Sequence, residues 1–185
     1  MSPIAKRMIL MDERSFARYR SEVRSLENGA CSGNLGAMIF FREIFFGSQD
    51  YESECLLRDE LLRRPLGLNL FEEDLASECD QWHFGLFAED GCLLACGVAL
   101  PVDEQIVKIR QVAVVEREQA RGKGKRLMRE IEVILRERGF TQVVLHARRA
   151  VSGFYLNCEY QIEGEEFEEV GLPHLRMVKL SLIHI

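Results

Sequence analysis

The sequence has no surplus of positive charge: 24 Lys and Arg stand against 30 Asp and Glu, a formal net charge of -6. That balance, with a pI near 5.4, removes the electrostatic footprint of a nucleic-acid binder and favours neutral or cationic small partners. Nor is there a long apolar run. A membrane span needs about 18 to 20 consecutive apolar residues, and even the stretch from Met38 to Phe46 is cut by Arg42 and Glu43. The first residues carry Lys6 and Arg7 without the apolar core of a signal peptide, so export by that route is not expected. Metal-ligand spacing is missing too. The cysteines stand at 31, 55, 79, 92, 96 and 158 and the histidines at 83, 146, 174 and 184; Cys92 and Cys96 enclose only Leu93, Leu94 and Ala95, a strand-like run rather than a zinc knuckle. Domains of roughly 150 to 200 residues bury about 70% of their unfolded surface and need no such staple. Reduced thiols, a cytoplasmic location and no metal are the expectations. Internal repeats and low-complexity segments are absent.

What is present is an ordinary globular composition, 47% hydrophobic and 29% charged. Phe16, Tyr19, Val23 and Leu26 predict a helix over 12–27, and the turn formers from Asn28 to Gly36 close off 1–36 as an N-terminal arm, leaving 37–185 as a single domain. A strand is expected at 38–46. A helix follows over 49–64, capped by Ser48 and stopped by Pro65 and Gly67. The acidic connection 68–81 leads to apolar runs at 82–88, 92–101 and 106–115, joined by short polar turns and therefore read as consecutive hairpins. Leu127, Met128, Ile131, Ile134 and Leu135 then mark a helix over 124–138 that Gly139 ends. A strand at 141–146, a short helix at 150–157 and strands at 165–169 and 175–182 complete an α+β order. The strand, helix and strand within 106–147 form one parallel, right-handed βαβ unit.

Chemistry concentrates behind the strand ending in Val112-Ala113-Val114. Gln119-Ala120-Arg121-Gly122-Lys123-Gly124-Lys125-Arg126 places two glycines at the start of the strongest helix. Glycines let backbone N–H groups point outward, and a helix N-terminus adds about half a positive charge, which together make an anion cradle. Arg121, Lys123, Lys125 and Arg126 surround it in an acidic protein, pointing to phosphate. An ATP-type P-loop would need Ser or Thr where Arg126 stands, and a dinucleotide fingerprint would need a third Gly or Ala where Leu127 stands.

Gln119-x-x-Gly122-x-Gly124 instead resembles the acyl-CoA signature of the GNAT superfamily of N-acetyltransferases. Ala147 to Tyr155 resembles that superfamily's A-x-x-x-A-x-x-F-Y segment. Gly171-Leu172-Pro173-His174-x-x-Met177 and the stretch from Leu57 to Leu68 resemble a bacterial branch of it. The resemblance covers about 37–180 and implies a GNAT-like fold with a mixed, splayed central sheet flanked by helices. It also implies acetyl-CoA as co-substrate, its pantetheine arm along Val112, Ala113 and Val114 and its pyrophosphate on the N–H groups of Ala120 to Lys125. Tyr155 would be the general acid for the leaving thiolate. The implied activity is acetyl transfer to a primary amine of a small molecule or peptide by direct attack; a non-catalytic CoA-binding module of the same fold is the alternative. A homodimer is compatible with this reading.

The base is less legible. Counting back from Gln119 places Lys108 where some members carry a catalytic glutamate. His83 and His174 are candidates for the base or for substrate contact, and Glu169, with Glu163, Glu165, Glu166 and Glu168, would draw an ammonium group or form a solvated strand edge. Arg58 and Arg63 either line the acceptor cleft or form a solvated helix face. Glu159 replaces the glycine usual in the family before an aromatic, here Tyr160.

Overall fold

In the structure, a computed structural model, residues 38–180 are described. The helix expected over 12–27, the turn-rich segment after it and the tail 181–185 lie outside them. The described residues form two compact units: those up to Gly97 with Gln111–Leu127, and Val98–Arg110 with those from Met128 onward.

In the first unit, β1 (Ile39–Ile44) runs antiparallel to β2 (Trp82–Ala88), Ile39 opposite Ala88 and Ile44 opposite His83. β3 (Leu93–Pro101) follows β2 through a tight turn closed by Ala88 N–H donating to the Cys92 carbonyl at 2.8 Å, and neighbouring strands run β1, β2, β3, β4, with β4 at Ile106–Val114. Between β1 and β2 lies α1 (Gln49–Arg58). Ser48 Oγ accepts the Tyr51 N–H at 3.2 Å, and Asp50 and Glu52 sit in the first turn, where the helix dipole favours them. The helix expected over 49–64 is continuous in path but changes pitch, to a π-turn over Asp59–Arg63 and a 3-10 turn over Arg64–Leu66 that ends at Gly67, φ 71°. Asp59 secures this change by accepting from Leu70 N–H at 3.0 Å and Arg64 Nε at 3.1 Å. Ile44, Tyr51, Cys55, Leu70, Phe87 and Cys96 belong to the core of the unit. Gly85 is tightly enclosed, since a Cβ there would lie 2.6 Å from the Phe87 ring and 2.7 Å from Leu93.

In the second unit, β4 pairs in parallel with β5 (Gln142–Arg148), and the ladder covers only Ile106–Lys108 against Gln142–Val144. The link is α2 (Lys123–Glu137), whose Leu127, Met128, Ile131 and Leu135 are buried as the apolar stripe predicts. β8 (Leu172–Leu180) is antiparallel to β5 from His174 to Leu180, and β6 (Gln161–Ile162) and β7 (Phe167–Glu169) pair with β8. The last strand starts three residues before the expected 175. β6, only two exposed residues long, carries no sequence pattern that marks it. With α3 (Ser152–Leu156), the described residues contain eight strands in one mixed sheet and three α-helices, the expected α+β order. No helix among them is long and apolar enough to cross a membrane. Cys55, Cys79, Cys96 and Cys158 are free thiols, whereas Cys92 is disulfide-bonded, against the expectation of reduced thiols throughout.

Candidate functional site

The glycine-rich loop of the first unit is built by the end of β4. Gln119 turns its side chain inward, Nε2 donating to the Val114 carbonyl at 3.0 Å, so this residue closes the loop rather than reaching outward. A 3-10 turn over Glu116–Glu118 follows the strand, and then Ala120 (φ 57°) and Gly122 (φ 77°) both take the left-handed conformation. The Arg126 N–H donates to the Gly122 carbonyl at 3.0 Å; the N–H groups of Lys123, Gly124 and Lys125 lie before that bond in the first turn of α2, where an α-helix has no acceptors of its own. A Cβ built on Gly122 meets nothing within 4 Å. The loop therefore presents backbone to open space, and glycine is needed there for its φ, not for room. Lys123 and Arg121 approach Glu118 at 3.8 and 4.0 Å. The Arg121 N–H is taken by the Glu118 carbonyl at 3.4 Å, which leaves the N–H groups of the first turn of α2, with their flanking cations, as the part of the loop suited to a pyrophosphate.

Upstream, Gln111 (φ 56°) kinks β4, and its Oε1 accepts from Arg63 Nη1 at 3.3 Å. Glu73 holds Arg63 through Nε and Nη2 at 2.5 and 3.1 Å. Arg63 is thus a brace for the strand that carries Val112, Ala113 and Val114.

Arg58 is neither a solvated face nor a cleft residue. It is fully buried, donating to both carboxylate oxygens of Glu78 at 2.9 and 2.5 Å and to Glu54 at 3.2 Å. His83 belongs to the same cluster: its Nδ1 is 2.9 Å from Glu54, its ring stands edge-on to Tyr51, and its side chain has no exposed surface. With Tyr51 donating to Glu78 at 2.9 Å, this is a closed scaffold. His83 has no surface on which to meet a substrate.

Three other candidates lie in the second unit. Tyr155, on α3, is flanked by Phe154 at 4.9 Å and Tyr160 at 6.0 Å, both edge-on. Burial, with a smaller contribution from Cys158, pushes its hydroxyl pKa up, so it keeps its proton throughout the working range. The turn after α3 closes on Tyr155, whose carbonyl accepts the N–H groups of Cys158 and Tyr160, each at 3.0 Å. Glu159 takes φ 69° there, a left-handed conformation that favours glycine. Tyr160 and Lys179 both bond Glu132 at 2.8 Å, anchoring the turn to α2.

Around the point where β4 and β5 part, Glu169 Oε2 lies 2.6 Å from His146 Nδ1, and Lys108 Nζ lies 3.1 Å from the same nitrogen. Phe167 packs edge-on against the His146 ring at 4.9 Å. The Glu169 carboxyl stays below its usual range: burial opposes this, but the bond from His146 and the charges of Lys108 and His174 outweigh it. Lys108 is pulled downward by burial, against Glu169 and with Arg110 and Arg176. His174 is buried beside Phe167, its Nδ1 2.9 Å from the Leu172 carbonyl. The acidic strip is largely spoken for, since Glu163 pairs with Arg176 and Glu166 with Arg149 at 3.1 Å.

His146 has no role in the reading from sequence. The signal was there in part: it lies on the strand after the main helix, and parallel pairing with the strand of Lys108 brings the two positions together. Glu169 and Phe167 arrive through β7, whose pairing no local pattern encodes.

Residues 48–160 match the Acetyltransferase (GNAT) family. Among curated proteins, the uncharacterized protein YyaT of Bacillus subtilis is 35% identical over 72 residues, 39% of this chain and 49% of that protein; the chain spans about half the length of the curated relatives it matches. Among solved structures, Escherichia coli ElaA superposes with a TM-score of 0.65 at 22% identity, over 77% of this chain and 99% of that one. A GNAT family acetyltransferase from Elizabethkingia anophelis with acetyl-CoA bound gives 0.57 at 17%, over 77% and 97%.

Proposed function

Because the chain belongs to the acetyltransferase (GNAT) family, we propose that it moves an acetyl group from acetyl-CoA to a primary amine of a small molecule or peptide by direct attack. The loop at 120–125 carries the reading: Ala120 and Gly122 are left-handed, a Cβ on Gly122 would meet only open space, and the N–H groups in the first turn of α2 have no intrahelical acceptor, which suits a pyrophosphate. The backbone of Val112, Ala113 and Val114, just upstream on the same strand, would hold the pantetheine arm. Tyr155 donates its phenolic proton as a hydrogen bond to the departing sulfur; its upward shift makes it a donor at any working pH. Direct transfer asks mainly for proximity and orientation of amine and thioester.

His174 and Glu169 belong to the acceptor side in this proposal. The cytoplasm is the proposed compartment, on the ground that four cysteines are free thiols; the bond at Cys92 is the observation against it.

The test is calorimetry with CoA. Gly122→Asp places a side chain on a left-handed residue and a negative charge beside the phosphate, so CoA affinity should fall at least tenfold, alongside a stability cost of about 1 to 2 kcal/mol from the left-handed φ. Unchanged affinity in Gly122→Asp would remove the loop from the binding site.

A further inference from the structure

The acetyl-transfer reading has no proton acceptor at the position some family members fill with glutamate, since Lys108 stands there. Lys108 on β4, His146 on β5 and Glu169 on β7 meet there. Glu169 Oε2 and His146 Nδ1 are 2.6 Å apart. Nδ1 has two neighbours with opposite demands: the Glu169 carboxylate only accepts, and Lys108 Nζ, 3.1 Å away, as an ammonium only donates; the shorter contact, to the carboxylate, sets the proton on Nδ1. Nε2 is then the nitrogen left with a lone pair. The ring is reachable, its side chain being 28% exposed, and it is held in orientation by the Phe167 edge contact at 4.9 Å. The β4–β5 ladder ends at Lys108 and Val144, so His146 stands two residues beyond the last pair, where the strands no longer bridge one another.

We infer that His146, oriented by Glu169, takes the proton from the acceptor amine, in place of the family's strand glutamate. This rests on the acetyl-transfer reading. One proton of the acceptor ammonium passes to Nε2; the freed lone pair forms the C–N bond at the thioester carbonyl carbon; the C–S bond then breaks. Of the three nitrogen protons, one stays on the amide, one ends on the CoA thiol and one leaves from His146 to solvent. His146 is the catalytic residue and Glu169 a positioning residue. The charged and titratable groups facing this cluster are Lys108 from β4, on which Arg110 also acts, Glu169 from β7, and His174 and Arg176 from β8, with Arg176 directly opposite His146 in the strand register.

The experiment measures thiol release from acetyl-CoA with kanamycin, spermidine and L-lysine as probe amines, followed by pH profiles on whichever turns over. His146→Gln should lower kcat/KM by roughly 100-fold or more, as loss of a general base does, flatten the acid limb of the profile and leave CoA affinity unchanged. Glu169→Leu should lower it by at least tenfold, Glu169→Gln should recover most of that by again accepting the Nδ1 proton, and Lys108→Met should keep the acid limb. Nitrogen-15 spectra should show Nδ1–H in the wild type and a mixed tautomer in Glu169→Leu. If the wild type turns over a probe and His146→Gln keeps its rate within about twofold, or if Lys108→Met rather than His146→Gln flattens the limb, the assignment to His146 is overturned and acetyl transfer stands. Loss of CoA binding in His146→Gln would make the residue structural and overturn it likewise. No turnover of any probe by the wild type, with CoA still bound, overturns the acetyl-transfer reading and the base with it.

Discussion

Two clusters in this protein are assembled from the same parts. In the first unit, His83 meets Glu54 through Nδ1, a basic side chain (Arg58) lies alongside, and an aromatic ring (Tyr51) stands edge-on at 5.2 Å. In the second, His146 meets Glu169 through Nδ1, Lys108 lies alongside, and Phe167 stands edge-on at 4.9 Å. What separates them is water. His83 and Glu54 have no exposed side-chain surface, whereas His146 and Glu169 are 28% and 41% exposed. A sealed cluster must satisfy its charges internally and so becomes scaffold; an open one can exchange a proton with a ligand. Residue type alone does not distinguish structure from chemistry.

The largest effect should come from opening the sealed cluster. Arg58→Met leaves Glu54 and Glu78 buried without their cation, and removing one partner of a buried pair costs about 3 to 5 kcal/mol. Chemical denaturation reads this directly. A loss below about 1 kcal/mol, the range of a surface pair, would erase the distinction between the clusters.

The two units also hold tyrosines that separate the roles more finely. Tyr51 donates to Glu78 at 2.9 Å in the sealed cluster, while Tyr155 is assigned to the departing sulfur. Hydrogen bonds to charged groups contribute about 1.5 to 3 kcal/mol. Tyr51→Phe should therefore lose roughly that much stability with kcat nearly unchanged. Tyr155→Phe should lose about 10- to 100-fold in kcat, the same energy expressed as rate, with little change in stability. Reversed outcomes would exchange the two assignments.

The smallest effect concerns acid. The Glu78 carboxyl is held below its usual range, because the bonds from Arg58 and Tyr51 outweigh the upward push of burial; Glu169 is held low by His146. A carboxylate whose folded pKa is depressed contributes stability above its unfolded pKa and loses it as pH falls through the folded value. Stability measured from pH 7 down to pH 3 should thus fall less steeply in Glu78→Gln than in wild type, from a lower starting point. Glu169→Gln, exposed and screened, should follow the wild type within about 1 kcal/mol.

Much of the fold is readable because its signals are local. Ser48 caps α1, the stripe from Leu127 to Leu135 makes α2, and Gly139 (φ 93°) ends it. The loop at 119–125 is readable for the same reason, as its chemistry is backbone chemistry next to glycines. The misreadings share another cause. Arg58 looks like one charge on a polar helix until Glu78, twenty residues on, is folded against it. His146 gains meaning only when β7 returns along β8. Contacts made between distant strands leave no period or spacing in the chain.

Glu159 bears on how freely such a position can vary. A non-glycine residue in the left-handed region costs about 1 to 2 kcal/mol, while glycine sacrifices about 0.5 to 1 kcal/mol more backbone entropy on folding. The strain exceeds the entropy, so Glu159→Gly should gain roughly 0.5 to 1 kcal/mol of stability: the turn keeps its shape against the preference of the residue that fills it.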